Sequence, residues 1–245
     1  MLDTIQKKET ITQTELLKSS FRLLSTEAIV FLMITSAYSG IVLSFWSGIF
    51  PSCIGFTRRL HENTRMIVAF NAIFTGVGQA TGGFLFGILS SKTRLLGRGP
   101  VVVAGTCIHL LVFFGVYVNF PAVAPLSPND EVGMIEPQVW ITLACGFFLG
   151  FGDALLNTQI FSLIISEYPK QTAQVFSLNK FFQHLLTCAA FVYGARLRLD
   201  AQLLMLGVGG TVGCVAFLLC ERSIRRRKTS AQVDKKDLNG VTERF

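Results

Sequence analysis

Apolar residues run along this chain in six blocks, at residues 28–50, 66–89, 101–120, 140–165, 175–193 and 203–220. Each is long enough to cross the roughly 30 Å hydrocarbon core of a bilayer as a helix. The pattern predicts an all-α, polytopic membrane protein of six transmembrane helices over residues 28–220, with no soluble domain between them. Residues 1–27 are polar with a weak apolar stripe at Leu17, Phe21 and Leu24, while Lys18 and Arg22 point elsewhere. That predicts a short amphipathic, linker-like helix at the cytosolic interface. Residues 221–245 are charged and basic, and are expected to form a disordered cytosolic tail.

Charge then orients the spans. With the N-terminus in the cytosol, Lys7, Lys8, Lys18, Arg22, Lys92, Arg94, Arg98, Lys170 and the tail residues Arg222, Arg225, Arg226, Arg227, Lys228, Lys235, Lys236 and Arg244 lie inside. Only Arg58, Arg59, Arg65, Arg196 and Arg198 lie outside. The asymmetry obeys the positive-inside rule and places both termini in the cytosol. Trp46, Tyr117, Trp140 and Tyr193 then fall at outer helix ends, where an aromatic belt lies. The net charge of +7 is thus a matter of topology, and no nucleic-acid partner is expected. Arg222, Arg225, Arg226, Arg227 and Lys228 would meet anionic lipid at the inner leaflet. Composition agrees with a bilayer protein: 51% hydrophobic, 15% charged, 22 Phe, mean hydropathy +0.52.

Asp153 is the one acid inside any of the six blocks. A carboxylate at the middle of a membrane helix costs roughly 2.5 to 3.5 kcal/mol, so it calls for a partner or a task. Gly146, Gly150, Asp153 and Asn157 share one helical face, and the fifth block repeats the idea with Ser177, Lys180, Gln183, His184 and Thr187. The short connection between these blocks predicts antiparallel neighbours, with Lys180 level with Asn157 and one turn from Asp153. Asn71, Thr75 and Gln79 add a polar face to the second block, where Gly78, Gly82, Gly83 and Gly87 form small-xxx-small pairs suited to close helix contact. The candidate cavity or ion-pair residues are therefore Asp153, Asn157, Lys180, Gln183, His184, Asn71 and Gln79.

Enzyme chemistry fits poorly. Gly150-Phe-Gly152-Asp153 has the form of an intramembrane aspartyl protease signature, but that chemistry needs two carboxylates sharing a proton. Asp3, Asp130, Asp200, Asp234 and Asp237 all fall outside the blocks. The six cysteines are scattered without C-x-x-C spacing, so no metal site, disulfide framework or cofactor is expected.

The segment Gly87-Ile-Leu89-Ser-Ser91-Lys92-Thr-Arg94-Leu-Leu-Gly97-Arg98-Gly-Pro100 resembles the cytoplasmic loop motif of the major facilitator superfamily, with Gly87, Leu89, Lys92, Gly97 and Arg98 at motif positions. Ser91 stands where an acid is expected, which puts the motif's conformational latch in doubt. Four blocks resemble the uncoordinated-ninety-three-like branch: Ala37-Tyr-Ser-Gly40 with Phe45-Trp-Ser-Gly48, Gly97-Arg-Gly-Pro-Val-Val, Leu149-Gly-Phe-Gly-Asp153 with Asn157-Thr-Gln159, and Phe176 with Lys180-Phe. The resemblance covers about residues 14–220 and is to the second half of a twelve-helix protein. It implies one half of a facilitator fold, a 3+3 helix repeat, with the polar face turned toward a second membrane polypeptide or a second copy. Members are described as solute carriers, potassium-channel regulatory subunits or trafficking chaperones. Two functions follow as expectations: a regulatory or accessory partner of an ion channel or other membrane protein, or a proton-coupled or facilitative carrier working as a dimer or with a separate first half. The substrate, the membrane, and whether the chain is complete stay open at this level.

Overall fold

The computed structural model describes residues 22–88 and 97–242, with side chains given for 22–86 and 97–230. The first helix, α1 (Glu27–Ser44), starts after the extended residue Thr26 and carries an acid in its first turn, where the helix dipole favours one. It runs unbroken through a π-helical turn (Phe45–Ile49) into α2 (Phe50–Phe56). Pro51 explains the widened turn. It has no N–H for the Ser47 carbonyl, and its ring pushes that carbonyl away. The continuation leaves Trp46 short of the helix end, whereas Tyr117, Trp140 and Tyr193 do sit near helix ends.

After a 3-10 turn (Arg58–Leu60) come α3 (Thr64–Ile88), α4 (Gly99–Asn119), α5 (Val139–Glu167), α6 (Thr172–Gly194) and α7 (Leu199–Thr242). Four stretches are long and apolar enough to cross a membrane: Glu27–Phe56, Gly99–Asn119, Val139–Glu167 and Leu199–Ser230. Helices α3 and α6, of 25 and 23 residues, occupy the other two apolar blocks but are diluted by polar residues and glycine. The chain is a multi-pass helical membrane protein.

Two expectations change here. The segment after Cys220 is not disordered: α7 continues helical to Thr242. Residues 221–239 contain no proline and no glycine, and Arg225 pairs with Glu221 one turn earlier at 3.2 Å. Second, α5 and α6 are joined by four residues yet hardly pack together. The extensive seams are α3 on α5, α5 on α4, α4 on α7, α7 on α1 and α1 on α6. Glycine decides this. A Cβ at Gly78 would strike the carbonyl oxygen of Phe147, one at Gly150 that of Thr75, and one at Gly40 that of Gln183. Backbones approach closest where those glycines lie, so α5 closes on α3 and α6 on α1. The second small-residue pair behaves differently, since Gly83 faces open space. Of the remaining expectations, Leu17, Phe21, Leu89 and Lys92 lie outside the described residues.

The seams have a symmetry. Exchanging α1, α3 and α4 for α5, α6 and α7 turns α3 on α5 into α6 on α1, turns α4 on α5 into α7 on α1, and returns α4 on α7 to itself.

Both ends of the bundle are tied down. At one end the connection from α4 to α5, with Pro121, Pro125 and Pro128, is held in place: Asn129 bridges to Thr57, Leu199 N–H donates to the Ala122 carbonyl at 2.8 Å, and Arg59 meets Glu136 at 3.1 Å. At the other end Gly97 takes φ +81°, a conformation that glycine adopts without strain, and delivers Arg98 to the start of α4. Arg98 lies 3.6 Å from Glu167, which also takes Lys228 at 2.8 Å. Arg98 further donates to Ser166 at 2.5 Å.

Candidate functional site

The closely packed seams bring polar side chains of four helices into one network. On α5, Asp153 is buried; its Oδ2 accepts from Gln79 Nε2 of α3 at 3.3 Å and its Oδ1 from Asn157 Nδ2 at 2.9 Å. The i, i+4 spacing of Asp153 and Asn157 sets them one above the other on a helical face. Asn157 then reaches α1, its Oδ1 accepting from Ser39 Oγ at 3.3 Å. Ser39 accepts from Gln183 Nε2 of α6 at 2.9 Å, and Gln183 Oε1 accepts from Lys180 Nζ at 2.7 Å. One turn away Asn179 Nδ2 donates to Ser36 Oγ at 2.6 Å. Every link but the Asp153–Asn157 and Lys180–Gln183 bonds crosses between helices. In a bilayer, where water cannot substitute, such bonds fix which helices pair and at what register.

Of the sequence candidates, Asp153, Asn157, Gln79, Gln183 and Lys180 are therefore brought together. Asp153 and Lys180 are not ion-paired among the described residues; Asn157, Ser39 and Gln183 link them through hydrogen bonds. Lys180 is exposed on the outer side of the network, its ammonium 5.1 Å from the centre of the Phe161 ring, within cation–π range. His184 is exposed on the same face and belongs to no described hydrogen bond or ion pair. Asn71 and Thr75 line no open face. They are 1% and 3% exposed, pressed into the α3–α5 seam against Gly146 and Gly150. Gly146 and Gly150 leave no side chain between the helices, so the polar stripe of α3 becomes internal. Among the described residues no three His, Cys, Asp or Glu side chains converge to hold a metal.

A second polar pair escaped the sequence reading. Tyr38 Oη lies 3.0 Å from His109 Nδ1, and both rings are buried where α1, α4, α5 and α7 meet. Gly210 and Gly213 make room for Tyr38, and Gly152 makes room for His109. A signal existed: a histidine within an apolar block of membrane length is costly enough to question.

A bundle of membrane-length helices, knitted among the described residues by buried side-chain hydrogen bonds, is the build of a multi-pass membrane protein. The sequence comparisons give the family. Residues 2–218 match the family described as "Ion channel regulatory protein UNC-93", and the chain belongs to it. It is 37% identical to the UNC93-like protein MFSD11 of Xenopus tropicalis over 213 residues, which is 86% of this chain and 48% of that protein. It is 36% identical to the protein of the same name from Xenopus laevis, with the same coverage. The chain thus spans about half the length of the curated relatives it matches. No solved structure matches it.

Proposed function

We propose that this chain acts as a regulatory or accessory partner of an ion channel or another membrane protein, through a six-span unit corresponding to one half of a facilitator fold. The observation that carries this is the strip on α6 where Lys180 and His184 stand exposed at mid-helix. Polar and cationic groups at that depth are covered by protein or face water, not lipid. A second polypeptide lying on α6 answers that requirement, and the description of the matched family as ion channel regulatory proteins supports a regulatory role. The symmetry of the helix seams supports the 3+3 reading. In this reading both termini are cytosolic and the Asn129 loop is outside. A cysteine introduced at Asn129 in a background without native cysteines is expected to react with an impermeant maleimide from outside the cell. Labelling only after permeabilisation would overturn the topology.

The alternative is a proton-coupled or facilitative carrier, which the buried Asp153 favours. The two separate by flux. The purified chain in liposomes is expected to show no Asp153-dependent proton or solute movement, and to be recovered from cells bound to a second membrane protein. Flux lost in Asp153→Asn, with no partner recovered, would reverse that choice.

A further inference from the structure

Between α1 and α7, at the end that carries the tail, lies a cavity of about 500 Å³ with Arg222, Arg226 and Arg227 around it and Glu27, Ser223 and Ser230 completing its polar wall. Its floor is Phe31 and Leu219. Those two residues also begin a second cavity, of about 320 Å³, that runs along the same helices between Ile34, Val212 and Val215 with almost no polar lining. The two adjoin at Phe31 and Leu219: a basic cup beside an apolar groove. The sequence dictates it. Glu27, Phe31 and Ile34 follow i, i+4, i+7 on α1, and Val215, Leu219, Arg222 and Arg226 follow i, i+4, i+7, i+11 on α7, so each helix presents one stripe that changes from apolar to charged at the same level.

The five tail cations whose side chains are described do not act alike. Arg225 is paired with Glu221, and Lys228 with Glu167. No described hydrogen bond or ion pair uses the guanidinium of Arg222, Arg226 or Arg227, and these are the three that face the cup. A planar guanidinium recognises phosphate oxygens bidentately. Glu27, held by Ser223 Oγ at 3.3 Å, adds a single acceptor among three cations.

The geometry points to a binding site for an anionic glycerophospholipid. Its phosphate lies among Arg222, Arg226 and Arg227, a headgroup ammonium or hydroxyl meets Glu27, and one acyl chain follows the Phe31–Val215 groove. The site requires only that α1 and α7 cross the bilayer, and is independent of the choice between accessory partner and carrier. A diffuse basic surface would hold any anion; the groove makes this a lipid site, because the apolar wall contributes only if acyl chain fills it.

The test is native mass measurement of the full chain in mild detergent, titrated with dioleoyl phosphatidylserine, dioleoyl phosphatidylinositol and dioleoyl phosphatidylcholine. One copy of an anionic lipid is expected to be retained in preference to phosphatidylcholine, the two anionic headgroups differing by how well each meets Glu27. Replacing Arg222, Arg226 and Arg227 together by Gln is expected to weaken retention roughly 100-fold. Val215→Trp, which fills the groove and leaves charge unchanged, should weaken it about tenfold. A control removing the same number of cations, Lys170→Gln with Arg225→Gln and Lys228→Gln, should retain the lipid within about twofold. Equal weakening by the control, or equal retention of phosphatidylcholine, would overturn the site. Displacement of the lipid by water-soluble glycerophosphoserine at the same concentration would also overturn it, in favour of a plain phosphate site. Val215→Trp carries the test if the arginine variant fails to fold.

Discussion

Gly150→Leu is expected to leave little folded protein, with a loss of about 4 kcal/mol or more, in the range reserved for severe core disruption. Even the first atom of a side chain at Gly150 meets the Thr75 carbonyl, and the reciprocal contact at Gly78 meets the Phe147 carbonyl. A backbone oxygen fixed in a helix cannot rotate away, so relief requires α3 and α5 to separate along their whole length. Separation would also pull Gln79 from Asp153. Gly83→Leu on α3, where nothing lies within 4 Å, is expected to change stability by no more than about 0.5 kcal/mol. Unfolding in detergent followed by circular dichroism measures both. If the two leucine variants behave alike, the α3–α5 seam is wrongly placed.

The second expected result concerns the polar network. Asp153→Ala should cost about 1 to 2 kcal/mol, since interhelical hydrogen bonds in membrane bundles average about 0.6 and reach about 1.7 kcal/mol, and the amides of Asn157 and Gln79 lose their acceptor. Double-mutant cycles then read the wiring. Asp153 should couple with Gln79 and with Asn157, its direct partners, by about 1 kcal/mol, and with Lys180 by less, because the two share no direct hydrogen bond or ion pair among the described residues. This departs from the direct ion pair that the shared depth of Asp153 and Lys180 suggests. Coupling to Lys180 stronger than to Asn157 would restore the direct pair and contradict the hydrogen-bond order described here.

Much of the architecture was legible because membrane solvation writes it into long blocks. Six apolar stretches became six long helical stretches among the described residues, and the shared face of Asp153 and Asn157 followed from helical spacing alone. Helix boundaries slipped where local chemistry intervened. The π turn before Pro51 carried the first helix on to Phe56, and the helix-forming residues after Cys220 carried the last one to Thr242. Neighbour choice was harder to read. A short connection says that α5 and α6 are antiparallel but not that they touch, and the glycines that settle the matter act only through the helix each happens to face. For the same reason Asn71 and Thr75, indistinguishable in spacing from Gln79, are packed away while Gln79 reaches the network. The split of the tail cations into paired and free sets depended on Glu167 and Glu221, acids whose reach no linear pattern reveals.

The functional account turns on whether the α6 strip of Lys180 and His184 is covered by protein. Cys188 lies on that strip two turns from Lys180 and is exposed, and Cys107 is exposed on α4. Native mass measurement of the chain taken from its own membranes into nanodiscs, before and after reaction of Cys188 with a membrane-permeant maleimide, tests this most directly. The account predicts a particle containing a second membrane polypeptide, in which Cys188 is protected while Cys107 reacts. A particle containing one chain only, with Cys188 labelled as readily as Cys107, would contradict it.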